Sequence, residues 1–527
     1  MKIISFSPFG YEGELVTVEV DLRRGIPAVD LVGLADSAVK EARERMRAAI
    51  RNSGFDFPPE RVLISLSPAD VKKEGAGFDL AIALAVLDIQ QKCKKSGYDG
   101  AAAEEDKSDS QVLIMGELEL SGKIRPVRAI NAAVSTAAAN GVKHCIVPLA
   151  NADEAGGLEL MQVHGVDCLE DAFNVLQAIS LDFCKEDIHL SQFKEQLSEK
   201  TAPVEFDRVE CGEDLSEIVG QDFLVRGLQI AAAGFHNLIA YGPPGCGKSL
   251  ALQRFPSLVP YLTKEEAQTV TRIYSLAGLM PAGQPLIRRA PFRMPHQSAS
   301  LQGMIGGGMN CAPGEISLAH NGTLFLDEAA EFRSSVLQAL RVPMESGCVT
   351  LCRAGRHTVY PANFQLLIAT NPCPCGNYGS PDKICLCSTK SVEQYWKKFS
   401  GPLLDRIEIR VPVQRSDPEE KSEKHFSSQS LRIEIERAVR KQKERQGKYN
   451  SELTPEEIQL FCKLDDECRN YLNEASQKYG FSARAIHGII KLARTIADMA
   501  GNEDIKAKDL LEAIDYRKNE GGLDIMF

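Results

Sequence analysis

Eight residues constrain this chain more than any others: Gly242-Pro243-Pro244-Gly245-Cys246-Gly247-Lys248-Ser249, a G-x-x-x-x-G-K-S pattern. A short apolar run, Leu238-Ile239-Ala240, precedes it, and a helix-like segment from Leu250 to Phe255 follows. Strand, glycine loop and helix, in that order, let a backbone wrap an anion. Gly242, Gly245 and Gly247 permit close approach to phosphate oxygens, and the loop N–H groups and helix N-terminus face the charge. The whole loop, Pro243, Pro244 and Cys246 included, is therefore expected to bind nucleotide. Lys248 is expected to pair with the β- and γ-phosphates and Ser249 to hold Mg²⁺.

A second stretch, Thr323-Leu-Phe-Leu-Asp-Glu328, is an apolar strand ending in two acids. Such a pair can merely cap a helix. Following a phosphate loop, it reads as the acidic half of an ATP site. Asp327 would complete the Mg²⁺ shell and Glu328 would polarise the attacking water. ATP and Mg²⁺ are the cofactors this pairing implies.

The chain has 527 residues, room for about three domains on the usual size range. No apolar run approaches the roughly 20 residues of a membrane helix, and the first residues lack a signal-peptide core. A cytoplasmic protein without a membrane partner is expected. The formal net charge of −11 excludes a general basic coat, so any nucleic-acid contact has to be local.

Four of the 15 cysteines cluster as Cys373-Pro-Cys375 and Cys385-Leu-Cys387. Four thiolates can close a tetrahedral, structural Zn²⁺ site, although C-x-C is tighter than the usual C-x₂₋₄-C. Four reduced, unlinked cysteines are the alternative.

Strand-like and helix-like segments alternate through the first third. Glu14–Val20 and Val62–Leu66 show strand periodicity, and Gln111–Leu120 reads as one strand. Ala35–Arg51, Phe78–Ile89 and Ile130–Asn140 read as helices, and Tyr98–Gln111 as a polar surface loop. Residues 1–183 form the first domain, 184–206 a charged linker, 207–415 the nucleotide-binding core and 416–527 a helical C-terminal domain. In the last, Asp417-Pro-Glu-Glu and Thr454-Pro-Glu-Glu mark helix starts. Between the two nucleotide motifs lie Arg288, Arg289 and Arg293, then a glycine-rich run, Gly303–Gly308. This basic stretch and loop can be a nucleic-acid-binding insert or a solvated face.

Several of these stretches resemble known families. Gly116-Glu-Leu-Glu-Leu-Ser-Gly122 and Ile124-Arg-Pro-Val127 resemble the proteolytic domain of Lon-type proteases. The resemblance places the nucleophile position at Gly77 and the lysine position at Asn131, neither of which can do that chemistry. An α+β protease-like domain without protease activity is expected. Ile218-Val219-Gly220-Gln221 resembles the adenine-contacting turn of AAA+ ATPases. The order of motifs resembles the Mg-chelatase-like branch, in which a hairpin inserted in the second helix projects into a ring pore; Gly303–Gly308 would be that hairpin's loop. Asn371, ending the strand-like Phe364–Thr370, matches sensor 1. Arg406, in Leu-Leu-Asp-Arg, resembles an arginine finger reaching a neighbouring subunit, and Arg484 matches sensor 2.

Taken over nearly the whole chain, these motifs resemble the ComM/YifB family of competence-associated, Mg-chelatase-like ATPases. The fold implied is α/β: an inactive Lon-like domain, an AAA+ core with insert and Cys₄ zinc site, and a helical lid. The function implied is a hexameric ring ATPase moving single-stranded or branched DNA in DNA uptake and recombination. A chelatase-type motor and a protein-remodelling ATPase stay open.

Overall fold

The computed structural model describes the chain outside residues 34–36, 70–72, 74, 97–110, 184–203, 210–213, 282–283, 354–355, 379–382, 416–425 and 519–527. The polar loop expected after Tyr98, most of the linker and the helix start at Asp417 thus lie outside the described residues.

The N-terminal domain is built on a sheet packed on both sides at its centre. Its strands are β1 (Lys2–Ser7), β2 (Glu14–Arg23), β3 (Val29–Val32), β4 (Arg61–Ser67) and β5 (Gln111–Ile114). After a small hairpin of β6 (Glu117–Leu118) and β7 (Ile124–Arg125) come β8 (His144–Pro148) and β9 (Gln162–Val166). The order is β3-β4-β2-β1-β5-β8-β9. Of these, β1, β5 and β8 are buried on both faces while β4 alternates. One face packs Val62, Ile64 and Leu66 against Met46 and Ile50 of the Ser37–Asn52 helix and Leu80 and Leu84 of the Asp79–Ser96 helix. The other packs Ile4, Phe6 and Leu113 against the Ile130–Ala139 helix. The single strand expected over Gln111–Leu120 is instead broken after Ile114. There the chain turns to exchange backbone hydrogen bonds with the start of the Asp79 helix: Gly116 N–H donates to Gly77 O (3.1 Å) and Leu80 N–H to Gly116 O (3.0 Å).

The central domain is built on a five-stranded parallel sheet. Its members are β10 (Leu238–Tyr241), β11 (Phe292–Arg293), β14 (Thr323–Leu326), β17 (Gln365–Thr370) and β18 (Ile409–Pro412), in the order β11-β14-β17-β10-β18. Every residue of β10, β14 and β17 is buried, as a parallel sheet covered on both faces requires. Two hairpins leave this core. One joins β12 (Gly306–Gly307) to β13 (Ala312–Pro313), and the other joins β15 (Cys348–Arg353) to β16 (Arg356–Pro361).

The N-terminal domain grips the second hairpin. Tyr11 N–H donates to Thr358 Oγ1 at 2.9 Å, and its ring meets Tyr360 edge-on at 5.8 Å. Gly10 fits there with a φ of 58° because a Cβ would come within 2.2 Å of Thr358. Arg272 lies over the Tyr11 ring and bonds the Tyr11 carbonyl, and Arg356 lies over Phe9.

The C-terminal helices are Ser428–Gln446, Pro455–Phe461, Asp466–Tyr479, Ala483–Met499 and Ala507–Asp515. Thr454 and Glu457 form the capping box that the sequence announced. Their apolar faces share one core with the Asp222–Gly234 helix and β10. Inside it, buried Asp498 accepts from Arg445, Arg494 and Asn450 at 2.8–3.0 Å, so the charges enter the core paired and hydrogen-bonded. Among the described residues, no helix is long and apolar enough to cross a membrane.

Candidate functional site: a phosphate loop beside a four-cysteine cluster

β10 delivers its glycine loop at the carboxyl edge of the parallel sheet, where α/β sheets bind ligands. Gly245 and Gly247 carry φ of 79° and 86°, a left-handed backbone that suits glycine. A Cβ on Gly242 would lie 2.0 Å from the Val413 carbonyl oxygen, so only glycine fits there. The helix expected from Leu250 starts two residues earlier, at Lys248, and ends at Gln253.

Lys248 is buried, which lowers its pKa, and its ammonium donates to the carbonyls of Gly242 (2.7 Å) and Pro243 (2.8 Å). The same Nζ lies 3.4 Å from Asn371 Oδ1 at the end of β17. Ser249 Oγ donates to Asp327 Oδ1 at 2.7 Å. Four residues from three separated motifs thus meet at one sheet edge. Glu328 follows with a φ of 47°, which costs a non-glycine residue about 1–3 kcal/mol and is retained mainly at functional sites. Val219 is exposed beside Gly220, and Gln221 donates to the carbonyls of Cys246 and Gln414, fastening this turn to the loop.

Gln297 was not singled out from the sequence, yet its amide reaches Glu328 Oε2 at 3.4 Å. A glutamine in a proline-rich run carries no local signal, and only the fold brings it there.

Arg406 and Arg484 come together, but away from this loop. Both donate to Glu345, one to each carboxylate oxygen, and those bonds hold the carboxyl below its usual range. They share a cleft with His487, Lys491 and Glu408. Among the described residues, neither arginine bonds to any part of Gly242–Ser249.

The three arginines between the motifs are each ion-paired. Arg288 meets Glu205 (2.8 Å), Arg289 meets Asp207 (3.6 Å), and half-buried Arg293 makes a two-pronged pair with Glu315 (2.7 and 2.8 Å). The expected concentration of cations around the β12–β13 hairpin is therefore answered by acids of the same chain, and Arg288 and Arg289 face residues 205–207.

Gly77 and Asn131 sit in the N-terminal domain with no nucleophile or amine at either place. Asn131 is fully buried, and among the described residues neither polar atom of its side chain has a hydrogen-bond partner.

The four cysteines converge. Their sulfurs all lie within 4.8 Å of one another, with pairs at 3.4, 3.6 and 3.7 Å. Thiolates about 2.3 Å from one tetrahedral ion sit about 3.8 Å apart, so the donor set fits Zn²⁺. The Asn377 backbone N–H pulls the Cys375 thiol down to about 6, and Tyr378 N–H points at Cys373 Sγ (3.4 Å). Gly376, with a φ of 78°, packs this turn against the phosphate loop: a Cβ there would fall 2.7 Å from Pro244 Cδ. Gly376→Ala is expected to weaken binding of a fluorescent ATP analogue about tenfold by displacing Pro244, with the fold intact by circular dichroism.

Comparisons with known proteins show the chain's family. Residues 214–421 match the family model described as magnesium chelatase, subunit ChlI. Residues 18–151 match subunit ChlI of Mg-chelatase, and 425–517 match the ChlI C-terminal model. Uncharacterized protein YifB of Escherichia coli is 39% identical over 512 residues, covering 96% of this chain and 95% of that one. Competence protein ComM of Haemophilus influenzae is 36% identical over 524 residues, covering 98% and 97%. Uncharacterized protein Rv2897c of Mycobacterium tuberculosis is 35% identical over 526 residues, covering 98% of each.

Proposed function

The chain belongs to the ComM/YifB family of magnesium-chelatase-like proteins, and from that premise we propose that it is an AAA+ ATPase working as a homo-hexameric ring on single-stranded or branched DNA. The observation that carries the ATPase reading is the convergence of Lys248, Ser249, Asp327 and Asn371 at the mouth of β10. Lys248 leaves its loop carbonyls to pair with phosphate. Ser249 and Asp327 supply oxygens for Mg²⁺, which neutralises developing phosphate charge when bound. Glu328 would orient water, with Gln297 in reach of its carboxylate and Asn371 in reach of Lys248. Glu328→Gln should bind ATP normally and lose about 100-fold or more in turnover, whereas Lys248→Ala should lose binding itself. Parent-rate hydrolysis by Glu328→Gln would remove it from the role of base.

The ring reading is supported by an incomplete site. Arg406 and Arg484 lie together in a cleft that no residue of Gly242–Ser249 lines, so the γ-phosphate they would stabilise belongs to a second copy. The N-terminal domain is read as a Lon-like fold without protease activity, since Gly77 and Asn131 offer no Ser–Lys pair. Its grip on the β15–β16 hairpin suits an assembly or coupling role.

The four cysteines are read as a structural zinc site. Metal analysis of reduced protein should find one Zn²⁺ per chain. Cys375→Ser with Cys387→Ser should remove it and loosen Gly376 from Pro244. Stoichiometry near zero in the parent would refute the assignment.

The DNA reading draws on the relative named as a competence protein. Any phosphate contact by Arg288, Arg289 or Arg293 has to exchange with Glu205, Asp207 or Glu315, so binding should be strongly salt-sensitive. A four-way DNA junction should raise ATP turnover and be dissociated, with little sequence preference. If an unfolded protein stimulates turnover and the junction does not, protein remodelling replaces DNA translocation.

A further inference from the structure

The turn that carries Arg406 has its backbone gripped from outside. Four consecutive carbonyls each accept a hydrogen bond from a side chain anchored elsewhere. Leu404 O accepts from Arg410 Nη2 (3.1 Å), Asp405 O from Arg517 Nη2 (3.2 Å), Arg406 O from Asn237 Nδ2 (2.9 Å) and Ile407 O from Arg517 Nη1. Leu404 ends the short Gly401–Leu404 helix and its carbonyl also accepts from Ile407 N–H (3.2 Å), whereas the carbonyls of 405–407, which in a turn ordinarily face water, are here met by side chains.

The donors are costly to place. Arg410 and Arg517 are 7% and 3% exposed. Burial, with repulsion from Arg517, brings Arg410 down to about 9. Two neighbouring buried cations are a poor way to build a core, where apolar residues of similar size often do as well or better. What they supply here is directed donors.

Each donor is fixed at its root. Asn237 stands just before β10, where its Oδ1 accepts from Leu366 N–H (2.8 Å) and its own N–H donates to Glu408 (3.0 Å). Arg410 lies on β18, and its N–H donates to the Tyr516 carbonyl (2.9 Å). Arg517 follows Tyr516, whose ring stacks on Phe223 at 4.3 Å and whose hydroxyl donates to the Phe223 carbonyl (3.1 Å). The turn is therefore tied to the strand that leads into the phosphate loop and to the end of the last helix.

We infer that Asn237, Arg410 and Arg517 are positioning residues that preorganise Arg406 by clamping the carbonyls of residues 404–407. This rests on the reading of Arg406 as a finger acting on a second copy. The clamp fixes the origin of a long side chain whose tip is steered by Glu345. A finger held in place before the transition state forms loses no free energy to reorganisation at that moment.

The test uses full-length protein with Arg517→Met, Arg517→Lys, Asn237→Asp and Arg406→Ala. Asn237→Asp keeps the acceptor for Leu366 and replaces the donor to Arg406 O by a charged oxygen that repels that carbonyl, so it breaks the clamp without touching Arg517 and serves where Arg517→Met does not fold. Arg517→Met and Asn237→Asp should each lower kcat about tenfold or more, with affinity for a fluorescent ATP analogue within about twofold of the parent. Arg517→Lys, which keeps charge and a donor, should recover part of the loss. Adding Arg517→Met to Arg406→Ala should slow turnover no further. Mixing Arg517→Met with Lys248→Ala should restore activity, because the intact finger of one meets the intact phosphate loop of the other. Parent-rate turnover by folded Arg517→Met or by Asn237→Asp overturns the clamp. So does a parallel loss of nucleotide affinity, which marks a merely structural role. If Arg406→Ala itself turns over at the parent rate, the finger reading has failed, and the clamp's purpose falls with it.

Discussion

The hydrogen bond from Ser249 to Asp327 joins residues 78 positions apart and depends on strand register. β17 lies between β10 and β14, with Tyr241 beside Thr370 and Leu326 beside Ile368. The three strands therefore end at nearly one level, and the residues just beyond them meet. Because these strands are buried on both faces, a slip of one residue would leave them buried but move one strand end by about 3.3 Å and separate the pair. Burial of the apolar runs of β10, β14 and β17 holds the strands side by side, and their register brings Lys248, Ser249, Asp327 and Asn371 together.

That part of the molecule was legible in the sequence because its signals are local. A glycine pattern after an apolar run, an acidic pair after another and an asparagine after a third each announce a strand end. The capping box at Thr454 and the four-cysteine cluster were legible for the same reason: their partners lie within about a dozen residues. What sequence did not reveal is non-local. Gln297 reaches Glu328 only through the path of the chain between β11 and β14. The break after Ile114 comes from backbone pairing with Gly77 and Leu80, more than 30 residues earlier in the chain. The acids that answer Arg288, Arg289 and Arg293 come from as far away as Glu205, so a basic run in sequence is not a basic surface in space.

The two sides of the ATP chemistry are stiffened differently. On the phosphate-loop side, contact does the work. Gly376 of the cysteine turn touches Pro244, and Asn371 begins the stretch that leads into Cys373. On the Arg406 side, directed hydrogen bonds from Asn237, Arg410 and Arg517 fix the turn that follows the short Gly401–Leu404 helix. Both devices place rigid parts behind groups whose function depends on distances of a few tenths of an ångström.

The same logic bears on the N-terminal domain. A tethered accessory would be expected to meet the core through a wet, polar surface. Here Phe9, Gly10 and Tyr11 add ring contacts, a cation over each of two aromatic faces and a glycine that leaves no room for a side chain to ion pairs of Glu12 with Arg272, Glu14 with Arg356 and Glu159 with Lys264. That hairpin lies in sequence between the strand carrying Asp327 and the strand carrying Asn371. The N-terminal domain is therefore in direct contact with the segment that joins Asp327 to Asn371. The domain meets the rest of the chain at this hairpin and at the Lys264–Ala277 helix, where Ser275 donates to Glu154 and Arg272 bonds the Tyr11 carbonyl.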